Sequence, residues 1–193
     1  MSLFRQARLL IGLGGSNDIV RRYFVVNGFD GALTMLGMII GFEVSAPGDL
    51  TVIINACLAA AIALGISGLS SAYVSEVAER KRALQKLEEA MIADLGQTAH
   101  GDAARWVPLW VALVNGLSPF FISMLILLPL LLAKAGLVLP LAPLHTAAIA
   151  ALLLVFLLGV HLGRIAGISW LRSGMQTLLV AIVTAALIYL VTG

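Results

Sequence analysis

Five apolar stretches, each long enough to cross a bilayer, leave this chain one environment in which it can fold. They lie at about 23–42, 51–75, 107–132, 143–163 and 171–192. A hydrocarbon core about 30 Å thick needs about 20 apolar residues per helix, and each stretch meets that length. Only 11% of the 193 residues are charged and 61% are hydrophobic, whereas a soluble domain carries about 25% charged residues. The pattern therefore predicts an all-α polytopic membrane protein: a single membrane domain, 1–193, with five transmembrane helices. Backbone polar groups have no water to bond to inside a bilayer, so helices are the natural solution.

Turn chemistry divides the stretches. Ala46-Pro47-Gly48-Asp49 follows the first, Leu139-Pro140-Leu141-Ala142-Pro143 precedes the fourth, and Gly163 to Ser169 makes a short return before the fifth. The one long connector, 76–106, joins the second span to the third. Its first part, Glu76 to Asp94, reads as a helix continuing from the second span, with Val77, Leu84, Leu87 and Met91 as an apolar stripe. Gln97 to Asp102 reads as a polar loop, and Trp106 and Trp110 as an interfacial belt.

Charge sets the expected orientation. Arg5, Arg8, Arg21, Arg22, Arg80, Lys81, Arg82, Lys86, Arg105, Arg164 and Arg172 all fall on one side, and only Lys134 falls on the other. The positive-inside rule then puts the N-terminus in the cytoplasm and the C-terminus outside. Ser2 to Leu13 reads either as an interfacial segment or as a frayed end. Its apolar run is too short for a cleavable signal, and Ser16-Asn17-Asp18 resembles a helix start. A net charge of +2 gives no reason to expect a nucleic-acid partner. A lone cysteine, Cys57, excludes an internal disulfide and a multi-cysteine metal site.

Asp30 is the residue that asks for a function. It sits midway along the first span, where a carboxylate costs roughly 2.5 to 3.5 kcal/mol. Helical spacing places Asn27, Asp30, Thr34 and Met38 on one stripe. Amide, carboxylate, hydroxyl and thioether together suit a borderline divalent metal ion better than a hard one. The competing account is an acid that pairs with a polar neighbour and holds helices together. The text around Asp30, Val26-Asn27-Gly28-Phe29-Asp30-Gly31, returns in reduced form as Val114-Asn115-Gly116-Leu117-Ser118-Pro119. Asn115 and Ser118 are candidates to line a polar path, and Pro119 removes a helix donor and frees a carbonyl near Asn115. A packing kink is the alternative. Glu76 and Glu79 have an E-x-x-E spacing that can collect cations, or they belong to a solvated amphipathic extension. Asn55 and His161 read as lone polar residues satisfied by a neighbouring helix. No Ser, His and acid set has a spacing that suggests an enzyme.

Several motifs, taken in order, resemble the vacuolar iron transporter family in its short prokaryotic form. They are Asp30-Gly31, Ala72-Tyr73-Val74-Ser75, Pro129, Gly163-Arg164 and Leu171-Arg172-Ser173-Gly174-Met175. The resemblance implies a homodimer in the cell (inner) membrane of a prokaryote. It would export Fe²⁺, or Mn²⁺, from the cytoplasm in exchange for protons, along a path between the two first helices. The metal would be a substrate; no permanently bound cofactor is implied. On this reading Asp30, Asn27, Thr34 and Met38 are metal-site residues, Glu76 and Glu79 gather ions at the cytoplasmic mouth, and Asn115 and Ser118 line the path. Two positions depart from the family pattern. Ser67-Gly68 stands where the family has Ser-Met, and Ser71-Ala72-Tyr73 where it has Gly-Glu-Tyr. Without that sulfur and carboxylate, a proton-coupled carrier of a small solute, or a membrane scaffold that transports nothing, are the rival readings.

Overall fold

In a computed structural model, which describes residues 16–45 and 48–192, the chain forms five α-helices. They are α1 (Ser16–Ser45), α2 (Leu50–Met91), α3 (Ala99–Lys134), α4 (Pro143–Ile165) and α5 (Trp170–Thr192). Each is long and apolar enough to cross a membrane, and no strand occurs among the described residues. The protein is a multi-pass integral membrane protein. The segment Ser2 to Leu13 and the Ala46-Pro47 half of the first turn lie outside the described residues.

The helices group into two compact units. Residues 16–24 with 65–117 make up the first, and residues 25–45, 48–64 and 118–192 the second. The first is built on an antiparallel hairpin of α2 and α3. The connector is not a separate element: α2 runs unbroken for 42 residues to Met91, and α3 begins at Ala99. The expected helix to Asp94 therefore stops three residues early, and the expected loop from Gln97 to Asp102 is mostly helix.

Local chemistry explains both changes. At Ile92 the backbone turns left-handed, with φ 50°, and the Ala93 amide donates to the Glu88 carbonyl across 3.3 Å. That six-to-one bond is a Schellman cap. The Glu88 carboxylate accepts from the Leu95 amide at 3.0 Å and tightens the tip. Thr98 then starts α3. Its carbonyl accepts from the Asp102 amide at 3.0 Å, and its hydroxyl accepts from the His100 amide at 3.3 Å.

The same cap recurs at the ends of α3 and α4. Leu137 N–H reaches the Leu132 carbonyl at 3.1 Å and Ile168 N–H the Gly163 carbonyl at 3.1 Å. There the left-handed residues are Gly136 and Gly167, with φ 89° and 67°. Ile92 is the exception, a β-branched residue in a conformation that costs non-glycine residues about 1–2 kcal/mol, and it is 94% exposed. Ile92→Gly is therefore expected to stabilise the hairpin by about 1 kcal/mol. Thermal unfolding in detergent checks this, and an unchanged or lower midpoint counts against it.

The second unit holds the main apolar core. Ala32, Met35, Leu36 and Ile39 of α1 pack there with Ile54 and Cys57 of α2, Ile126, Leu127 and Leu130 of α3, Ala151 and Val155 of α4, and Ala181 of α5. Cys57 is fully buried, the small hydrophobe expected of it. Small residues let α4 and α5 approach. Thr177 sits against Gly159, Ser173 against Gly163, and Phe156 against Gly174. The Thr177 hydroxyl is within reach of the Val155 carbonyl (3.2 Å) and the Gly174 carbonyl (2.9 Å), so it ties the two helices as well as its own. Close packing by small residues and hydroxyls is the usual means of joining helices where lipid removes the hydrophobic drive.

Candidate functional site

In α1 the small and apolar residues that face α3 part from the polar stripe read in the sequence. Gly28, Gly31, Ala32 and Met35 turn inward and are buried, while Asn27, Thr34 and Met38 are half-buried and Asp30 is exposed. The reason is the close approach of α3 on the glycine side. A Cβ at Gly31 would lie 2.7 Å from the Pro119 carbonyl oxygen and 2.8 Å from its Cα, and a Cβ at Gly28 would lie 3.2 Å from the Ser118 hydroxyl. With that face occupied by backbone contact, helical periodicity leaves Asp30 on the outside of its unit. Among the described residues, no hydrogen bond or ion pair reaches its carboxylate.

The second copy of the motif is also a packing notch. A Cβ at Gly116 would lie 2.5 Å from the Gly65 carbonyl oxygen and 2.9 Å from the Leu69 amide nitrogen, so α2 and α3 touch there backbone to backbone. Asn115 is 4% exposed, and its amide nitrogen donates to the Gly68 carbonyl at 2.6 Å. Pro119 has no N–H to offer the Asn115 carbonyl one turn back. That oxygen faces Gly68, where an added Cβ would come within 3.0 Å of it. The carbonyl that the sequence led us to expect at the path is thus covered by a neighbouring helix. Ser118 is 1% exposed beside Gly28. Both candidate path residues are enclosed within their own units.

This geometry also explains the two departures on α2. Gly68 leaves little room for a side chain because Asn115 stands against it, and Ala72 is 4% exposed in the hairpin. Ser70 and Ser71 turn their hydroxyls back to the Ile66 and Gly68 carbonyls, at 2.8 and 3.3 Å. Nearer the tip, the Glu76 carboxylate lies 3.5 Å from the Arg80 guanidinium one turn on, while Glu79 is exposed. Among the described residues no three His, Cys, Asp or Glu side chains converge as a metal site. Asn55 and His161, expected to be satisfied by neighbouring helices, are instead exposed. Asn55 lies near the start of α2 and His161 near the end of α4, where headgroups and water come within reach.

One pair was not legible in the sequence. His145 Nε2 lies 3.6 Å from Glu43 Oε1, with the side chains 61% and 45% exposed. They stand in the first turn of α4 and the last turn of α1, with two whole helices between them in the chain. No local spacing announces a contact of that range.

No family model matches the chain, and no solved structure matches it. Over 174 residues it is 30% identical to the uncharacterized protein MJ0645 of Methanocaldococcus jannaschii, an alignment that covers 88% of this chain and 87% of that protein. Similarity that covers nearly nine tenths of both chains makes this chain a member of the same protein family as that archaeal protein.

Proposed function

We propose that the protein is a divalent-metal transporter that moves Fe²⁺, and Mn²⁺ as a second candidate, out of the cytoplasm in exchange for protons. The observation that carries the reading is Asp30: an exposed carboxylate midway along a spanning helix, with half-buried Asn27, Thr34 and Met38 at helical steps of three and four along the same stripe. A charge in that position is too costly to leave against lipid. A second copy of the chain that apposes its own α1 would cover it, and the site would then hold two aspartates. Among the described residues no three His, Cys, Asp or Glu side chains of one chain converge, and on this reading the second copy supplies a further carboxylate. The resemblance to the vacuolar iron transporters implies the same homodimer. Asn115 and Ser118 then act by holding helices at the edge of the path, and Glu79 is the connector acid best placed to attract cations at its mouth.

One observation favours a second reading. Packing, not ligands, occupies Gly68 and Ala72 on α2, which leaves Asp30 as a lone titratable group. That suits a proton-coupled carrier of a small organic solute.

Flux in proteoliposomes separates the two. The metal reading expects uptake of Fe²⁺ or Mn²⁺ that rises with an opposing proton gradient. Proton movement unaffected by either metal overturns it. Orientation is tested with single cysteines at Thr98 and Val138, the latter 98% exposed in the α3–α4 loop. A cytoplasmic N-terminus expects labelling of Thr98 from the inside and Val138 from the outside. Labelling of both from one side rejects the arrangement.

A further inference from the structure

The ends of α1 and α5 and the start of α4 enclose a groove of about 640 Å³ in the second unit. Its walls are apolar, with Ile40, Val44, Ala148, Ala185 and Leu190 among them. Glu43, His145 and Tyr189 also border it, with most of their polar surface turned outward to solvent. Glu43 follows Asp30 by thirteen residues, which at 100° per residue places it about 220° round the helix. Glu43 therefore stands on a different face of α1 from Asp30.

A groove with apolar walls in spanning helices and a polar mouth at their ends matches an amphiphile. Its long axis would lie across the boundary between acyl chains and headgroups. The charge at the mouth narrows the choice. Glu43 brings a carboxylate, which repels an anionic headgroup and attracts an ammonium. The imidazole of His145 carries an N–H in either protonation state and can donate it to a phosphate oxygen. The two groups are 3.6 Å apart and about half exposed or more, so neither is locked to the other. Tyr189 adds a ring and a hydroxyl at the level where aromatic residues gather in membranes.

We infer that this groove binds an aminophospholipid of the surrounding bilayer. One acyl chain lies along Ile40, Ala148 and Ala185, the ammonium meets Glu43, and the phosphate accepts a hydrogen bond from His145.

The test is lipid retention by the purified, delipidated protein, read by native mass spectrometry. The probes are phosphatidylethanolamine and phosphatidylglycerol with identical acyl chains. The wild type is expected to retain the ethanolamine lipid at least about fivefold more than the glycerol lipid, the ratio that about 1 kcal/mol produces. Glu43→Gln should bring that ratio close to one without changing the thermal midpoint. Ala185→Trp, which fills the groove, should reduce retention of both lipids. Equal retention by the wild type overturns the proposal, and so does a preference that survives Glu43→Gln. Should Ala185→Trp fold and keep its lipid, the groove is not the site. Should it fail to fold, the Glu43→Gln ratio decides.

Discussion

Asp30→Asn is expected to lower metal flux and metal affinity by at least about tenfold, the effect of losing about 1.4 kcal/mol of binding, while the protein folds as well as the wild type or better. The substitution keeps the shape of the side chain and removes its charge and its proton. Asp30 is exposed on its unit, and no protein partner reaches it among the described residues. The fold of one chain therefore loses no contact when the charge goes, and it sheds a group that is costly in hydrocarbon. A residue that stabilised the fold would behave in the opposite way. The measurements are isothermal metal binding, flux in proteoliposomes and the thermal midpoint of the same preparation. A well-folded Asp30→Asn protein with unchanged metal-dependent flux removes the transport reading. Flux that persists but no longer responds to a proton gradient transfers Asp30 to the solute-carrier reading.

Gly68→Met has an equally large expected effect, on stability. The residue introduced is the one that the resemblance to the vacuolar iron transporters would place there. Here it meets the Asn115 carbonyl at 3.0 Å and the Asn115 amide nitrogen at 3.3 Å from its first carbon onward. It must push α2 from α3 where Gly116 already touches the Gly65 backbone, and it strains the 2.6 Å bond from Asn115 to the Gly68 carbonyl. Overpacking of this kind costs about 1–3 kcal/mol, and a weakened buried hydrogen bond adds about 1 kcal/mol. The expected result is a lower thermal midpoint and no gain in metal affinity. Wild-type stability together with tighter metal binding would show that α2 can still serve as a ligand helix. Asn115→Ala tests the same contact from the other side and should relieve part of the Gly68→Met penalty, since the two residues share one space.

Number, type and approximate limits of the helices were legible because a bilayer imposes them residue by residue. About twenty apolar residues and a closed set of backbone hydrogen bonds are conditions each segment meets alone. Asp30 was legible for the same reason: its cost depends on its depth in one helix, not on a partner. The short return from Gly163 to Ser169 belongs to this class, since the left-handed Gly167 within it answers a local demand at a helix end. The end of α2 shows where local reading stops. Ile92 is a poor choice for the conformation it adopts, so nothing in its side chain marks the cap that ends the helix there.

The motif shared by α1 and α3 was visible as text, but its meaning was decided in three dimensions. Asn115 could line a path or hold a helix, and only the position of Gly68 made it a donor to that carbonyl. Gly28 and Gly31 could face lipid or protein until Pro119 was found against them, and that contact is what turned Asp30 outward. Glu43 and His145 became neighbours only when α1 and α4 packed in one unit. Sequence determines what a segment can pay for alone, namely crossing a membrane, ending a helix or carrying a charge at depth. Which of two polar roles a side chain takes depends on the helix that arrives opposite it, because hydrogen bonds and close packing act over a few ångströms between residues far apart in the chain.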